Sequence, residues 1–223
     1  MQIDRINKTN IELLKSFLKK YSSPSKSIEL CVASKYASSK QIELLYKHKF
    51  RVFGENKIQD GIKKIKELTH LKNIEWHFIG HLQSNKVQRA LEHFNVIQSV
   101  DSLKLLTKID MVSKRMDKIT NCYIQINSGN DPKKFGFSIE NIYKIKNKFF
   151  SFSNINIQGI MIMAPNTSNE NDLKKVFNDS FELFNQLKDE FKLSHLSMGM
   201  SQDYKLAIMS GSTMIRIGRM LFR

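Results

Sequence analysis

Cysteine is scarce: the 223 residues hold two, Cys31 and Cys122. Both fall in apolar segments that read as strands. This argues against a disulfide-stapled secreted scaffold, and two reduced core thiols are the simplest account. No apolar run approaches the roughly 20 residues that span a bilayer. The opening stretch, Met1 to Lys8, lacks the apolar core of a signal peptide, so the expected compartment is the cytoplasm, away from membranes. No Gly-rich phosphate loop follows the first strand, which weighs against a dinucleotide fold. No Cys/His cluster has metal-ligand spacing, so no metal is expected. Ser34 lacks a patterned His and Asp, so a hydrolase triad has no support.

Acidic residues are also few. Asp and Glu number 21 against 36 Lys and Arg, for a net charge of +15. Such a balance invites a nucleic-acid reading. Yet the lysines are spread along the chain, and most fall on polar faces of predicted helices. Lys, Asn, Ile and Phe also share AT-rich codons. Solvated helix faces account for the charge more simply than a dedicated patch.

What is present is a core and a repeating pattern. Hydrophobic residues make up 41% of the chain. Thr9 to Glu12 reads as a capping box, with Ile11, Leu14, Leu18 and Tyr21 at helical spacing behind it. Ser22 to Ser27, with Pro24, is a connector. Ile28 to Lys35 follows as a buried strand, then a helix capped by Ser38 with Gln41. The alternation continues. Strands are expected at Arg51 to Phe53, Glu75 to Ile79, Val96 to Val100, Cys122 to Ile126, Ile157 to Met163, His195 to Met198 and Met214 to Ile217. The intervening helices carry Ile58/Ile62/Ile65/Leu68, Val87/Ala90/Leu91, Leu103/Leu106/Ile109/Met116, Ile142/Ile145/Phe149 and Leu173/Val176/Phe177/Phe184/Leu187. Ser84, Ser102, Ser138 and Ser201 read as helix starts. Eight strand–helix units with no linker predict one domain over 1–223, a single (β/α)8 TIM barrel of the α/β class with an extra N-terminal helix. An open doubly wound sheet is the alternative.

In such barrels ligands bind at the C-terminal ends of the strands, often with a phosphate near strands seven and eight. Lys35 ends strand one there. Burial would lower its pKa and free the amine to capture an aldehyde as a Schiff base. Ser201, read as a hydroxyl donor and helix N-cap after strand seven, suits a phosphate. Gly218, after strand eight, admits close backbone approach. A ligand with one phosphate and one aldehyde fits this pocket, and pyridoxal 5'-phosphate (PLP) is such a ligand. Of the rest, His77 reads as a core or barrel-lumen histidine with a hydrogen-bonded partner rather than a catalytic base. His81 lies on the next loop. Glu55 ends strand two and touches ligand or caps the next helix. The Lys133-Lys134 pair reads as a solvated loop.

The runs Ala33-Ser34-Lys35, Phe53-Gly54-Glu55-Asn56, Trp76-His77-Phe78-Ile79-Gly80, Leu82-Gln83-Ser84-Asn85-Lys86, Leu196 to Ser201 and Gly211 to Gly218 resemble the pyridoxal phosphate homeostasis protein family (YggS/PROSC type). The likeness covers nearly the whole chain. It implies a barrel similar to the N-terminal domain of alanine racemase, PLP fold-type III-like. It also implies roles: Lys35 as the Schiff-base lysine, Ser201 and the Gly218 backbone on the phosphate, Arg216 at the pyridine nitrogen, Asn56 and Met198 along the pocket, and Lys134 near the cofactor. Two departures stand out. Arg219 occupies a position where the family usually has Thr, and Phe222-Arg223 stands where it usually has Phe-Gly. A guanidinium at 219 could supply a charge-assisted contact in place of the hydroxyl.

A racemase needs acid and base groups on both faces of its substrate. In alanine racemase a C-terminal domain adds the second base, and this sequence stops after strand eight. An arginine at the pyridine nitrogen can only donate, which weakens the ring as an electron sink. The expectation is therefore a monomeric PLP carrier without robust turnover, serving PLP-dependent apoenzymes. A weak amino-acid racemase is the alternative, and a nucleic-acid-binding protein is the third reading.

Overall fold

A computed structural model describes residues 5–23, 27–129, 131, 134–165, 167 and 169–222. Pro24, Lys133 and Arg223, named above, lie outside the described residues. Helix α1 spans Lys8–Tyr21 and leads into strand β1, Glu29–Ala33. There follow α2 (Ser39–Lys47), β2 (Val52–Glu55), α3 (Ile58–Glu67) and β3 (Glu75–Phe78). A 3₁₀ turn, Ser84–Lys86, runs into α4 (Val87–Leu91) and is followed by β4 (Val96–Val100) and α5 (Leu103–Arg115). Then come β5 (Thr120–Ile126), α6 (Ile139–Ile145), β6 (Ile155–Ile162) and α7 (Glu170–Phe191). Last are β7 (His195–Ser197), α8 (Tyr204–Met209), β8 (Met214–Ile217) and a 3₁₀ turn, Arg219–Leu221.

The eight strands close into one barrel in chain order, every neighbouring pair parallel. The (β/α)8 expectation holds and the open sheet does not. Alternation within each strand divides the core in two. Outward residues such as Val32, Phe53, Trp76, Phe78, Ile97 and Ile215 join the helices in one large apolar cluster. Inward residues Cys31, Val52, Val96, Tyr123, Met161 and Met214 form a smaller cluster in the lumen. The extra helix completes the outer ring. Phe17 of α1 meets Tyr204 of α8 edge-on at 5.5 Å, while Gln41 of α2 donates to the Arg5 carbonyl just before α1. Asn10 ties α1 to the chain beyond β8 by donating to Met220 O.

Most caps follow the sequence. Ser38 and Gln41 form a reciprocal capping box, and Ser102 and Ser138 accept N–H groups at the starts of α5 and α6. Three do not. Helix α1 is capped by Asn7, whose side chain accepts Asn10 N, two residues before the expected Thr9. Asn fills a cap at least as well as Thr, and the helix begins at the earlier choice. Ser84 opens the 3₁₀ turn without capping it. Ser201 is no cap either. Asp203 holds that position at α8, and its carboxylate reaches back to accept Met200 N at 2.5 Å.

Candidate functional site

The registers gather the expected site residues on one rim. Val32 pairs with Ile217, so Ala33, the last residue of β1, lies beside Gly218, the residue after β8. A Cβ on residue 218 would lie 2.9 Å from the Ala33 carbonyl oxygen, which only glycine avoids. Ser197 pairs with Met214, and Arg216 N donates to Gly199 O, so the Met198–Ser201 loop sits beside β8. Gly199 makes that loop turn with φ of 95°, and a Cβ there would strike Ala207. Lys35, Gly218 and Ser201 thus follow three consecutive strands, β1, β8 and β7.

Lys35 is exposed, in the turn after β1, with Nζ 4.7 Å from the centroid of the Tyr36 ring. This corrects the expectation of a desolvated amine. The strand ends at Ala33, so Lys35 stands above the rim, where water reaches it. Its base is rigid. Ser34 is fully buried; its N–H and hydroxyl both reach Gly54 O, and the hydroxyl also donates to Glu55 Oε1 at 2.7 Å. Lys64 from α3 donates to Ser34 O and Glu55 Oε1, each at 2.7 Å. Glu55 therefore anchors the Lys35 turn rather than capping α3, whose cap position is Lys57. Neither Lys64 nor this use of Glu55 is readable from the chain order.

Arg216 is buried in the lumen just below the rim. Its Nη1 donates to Ser197 O at 2.7 Å and to Ser197 Oγ at 2.8 Å; its Nη2 donates to Ile162 O at 2.8 Å. No carboxylate forms an ion pair with it among the described residues. Burial pushes its pKa below the ordinary guanidinium range. A buried unpaired cation is costly, and two of its five N–H donors remain unassigned by these bonds.

The other expected residues divide. Asn56 is half-buried just past the end of β2, and a Cβ on residue 80 would strike its carbonyl oxygen. Lys134 reaches across to donate to Ala164 O at 2.6 Å, beyond the end of β6, and lies 3.9 Å from Asp131. Met198 is fully buried in the outer apolar cluster, so its side chain points away from the lumen. Ser201 is half-buried. Arg219 is exposed and opens the last 3₁₀ turn. His81 lies on the same rim, with Nδ1 2.9 Å from Asp101 Oδ2 and its ring stacked on Phe135 at 3.7 Å. His77 is a lumen residue, as expected, with Gln98 Nε2 2.6 Å from Nδ1. No group of His, Cys, Asp and Glu among the described residues has metal-site geometry.

Residues 18–223 match the family model described as alanine racemase, N-terminal domain. The chain is 36% identical to the pyridoxal phosphate homeostasis protein of Buchnera aphidicola, over 96% of each chain. It is 34% identical to the protein of that name from Aquifex aeolicus, covering 87% of this chain and 86% of that one. This chain belongs to that family. Among solved structures it is similar to PipY of Synechococcus elongatus, determined with PLP bound, at 31% identity and a TM-score of 0.84 over 96% of this chain and all of that one. Alanine racemase of Clostridium difficile shares the fold at 19% identity and a TM-score of 0.73. The match covers 96% of this chain and 56% of the racemase.

Proposed function

We propose that this chain binds pyridoxal 5'-phosphate at the C-terminal mouth of its barrel and buffers or delivers it. The carrying observation is the juxtaposition on three consecutive strand ends: an exposed amine at Lys35, a glycine at 218 where a Cβ would strike Ala33, and the half-buried Ser201. Beneath them lies Arg216, a buried cation without a carboxylate partner among the described residues. When bound, the cofactor supplies an aldehyde that an amine can capture and a phosphate that anchors it. Lys35 would hold the aldehyde carbon. Ser201, the Gly218 backbone and Arg219 would hold the phosphate, while Asn56 and Lys134 would border the ring. Met198 would contribute backbone only. The relatives named for PLP homeostasis, and PipY with its bound PLP, support this reading.

The same residues argue for carriage over turnover. Arg216 can donate to a ring nitrogen but cannot give up a proton to it near neutral pH. The ring nitrogen would stay unprotonated, and carbanion chemistry would be slow. The likeness to alanine racemase is one of fold and carries no racemase activity. On this reading the carrier is a monomer that meets PLP-dependent apoenzymes in the cytoplasm. No helix among the described residues is long and apolar enough to cross a membrane. Titrating PLP into the unloaded protein tests the reading: saturable uptake with a new visible band supports it, and no uptake overturns it.

A further inference from the structure

The lumen holds a line of side chains that the rim does not use. Arg216 Nη1 donates to Ser197 Oγ at 2.8 Å, and Ser197 Oγ donates to Gln98 Oε1 at 2.8 Å. Gln98 Nε2 lies 2.6 Å from His77 Nδ1. An amide nitrogen only donates, so Nδ1 accepts, and the neutral imidazole carries its proton on Nε2. His77 Nε2 faces Glu75 Oε1 at 3.1 Å, close to the carboxylate but without the angle of a hydrogen bond. These three hydrogen bonds point the same way, from guanidinium to imidazole, across β8, β7, β4 and β3, and Glu75 stands beyond the last of them.

The far end reaches the opposite mouth of the barrel. Glu75 is half-exposed. A cavity of about 580 Å³, lined by Glu29, Arg51, Ser194, His195 and Thr213 among others, lies there, so protons can reach this end. The titratable and charged groups around His77 are Glu75 on its own strand, Glu29 and Cys31 on β1, Tyr123 on β5, His195 on β7 and Arg216 on β8.

We infer that Ser197, Gln98, His77 and Glu75 form a polarised relay that sets the donor posture of Arg216 and ties it to protonation at the opposite mouth. Protonating His77 at Nδ1 would set two donors face to face. The Gln98 amide must then turn over and offer Oε1 to His77. Its NH2 leaves the Met214 sulfur, 3.3 Å away, and turns to Ser197. Gln98 and Arg216 then compete for the lone pairs of one hydroxyl, and linked hydrogen bonds carry the change to the guanidinium. The consequence for the cofactor rests on the PLP reading, with Arg216 at the ring nitrogen.

Two readouts keep the relay and that reading apart. The first uses unloaded, ¹⁵N-labelled protein. His77 and Arg216 side-chain resonances are followed from about pH 5 to 9. The expected result is Nε2 protonation of His77 at the upper end and one midpoint shared by both residues. The coupling should vanish in Ser197→Ala. In His77→Asn, whose Oδ1 can accept from Gln98 as Nδ1 does, Arg216 should keep its high-pH resonances at every pH. Arg216 signals that ignore His77, or follow it equally in Ser197→Ala, overturn the relay. So does a His77 that keeps one protonation state throughout. If Ser197→Ala does not fold, wild type and His77→Asn decide. The second readout is the absorbance of the PLP-loaded protein, which should titrate with the same midpoint in wild type and stay flat in His77→Asn. A flat wild-type absorbance overturns the link to the ring. Failure to take up PLP would sink the cofactor reading, and the resonances would still decide the relay.

Discussion

Lys64 Nζ lies 2.7 Å from Glu55 Oε1, within a carboxylate that is fully buried. The ammonium also donates to Ser34 O, one residue before Lys35. A helix-borne cation therefore pins the strand end that carries the proposed cofactor lysine.

Removing either partner should cost unequally. Lys64→Met leaves Glu55 charged and unpaired in the interior, a loss of about 3–5 kcal/mol. Glu55→Gln leaves an ammonium that is 12% exposed, still holds Ser34 O and reaches water. Its cost should be about 1–3 kcal/mol. Urea unfolding of the two variants checks the order, and equal losses would show that the pair does not behave as a buried ion pair.

Ser201 should matter to phosphate and not to the ring. Losing one charge-assisted hydrogen bond costs about 1.5–3 kcal/mol, roughly tenfold to a hundredfold in affinity. Ser201→Ala should weaken PLP binding by that factor and leave pyridoxal nearly unchanged. Equal weakening of both ligands would place the phosphate elsewhere.

Arg219 is exposed, so any help that it gives a phosphate is open to screening. Arg219→Ala should weaken PLP binding more at low salt than at high salt, and Arg219→Thr should restore most of the affinity. Coincident titrations of wild type and both variants would make Arg219 an ordinary surface residue.

Stability should fall in mild acid through His195. Burial, and then the nearby His77, lower its pKa from the ordinary 6.5. The unfolded chain therefore binds the proton first as pH drops. The His195 contribution is intact above pH 6.5 and is lost as pH falls from there through the folded-state value. His195→Gln should flatten this part of the urea midpoint against pH. A profile unchanged by the substitution would assign the acid loss to other groups, such as Glu75, whose pKa the adjacent His77 holds below the ordinary carboxylate value.

Much of the fold was legible because each helix and strand carries its own period. Strands β4 and β8 and helix α7 fall where the sequence alone places them. The caps at Ser38, Ser102 and Ser138 are local chemistry and read correctly. At Ser201 the rule failed because Asp203, two residues on, turns its carboxylate back to Met200 N. The exposure of Lys35 depends on where β1 stops, and boundaries are poorly specified by pattern. The lumen relay was hidden for another reason. It joins four strands, and only barrel closure brings them together. One signal was present: Glu75 and His77 alternate with Trp76 and Phe78, and polar Gln98 interrupts an apolar strand. Alternate polar positions in a fully buried parallel strand point inward to a polar lumen.

Borohydride reduction of the PLP-loaded protein, followed by peptide mass mapping, tests most directly whether Lys35 holds the cofactor. The expected result is a pyridoxyl adduct on the peptide carrying Lys35, and neither adduct nor visible band in Lys35→Ala. An adduct on another lysine, with Lys35→Ala still fully yellow, would contradict the account.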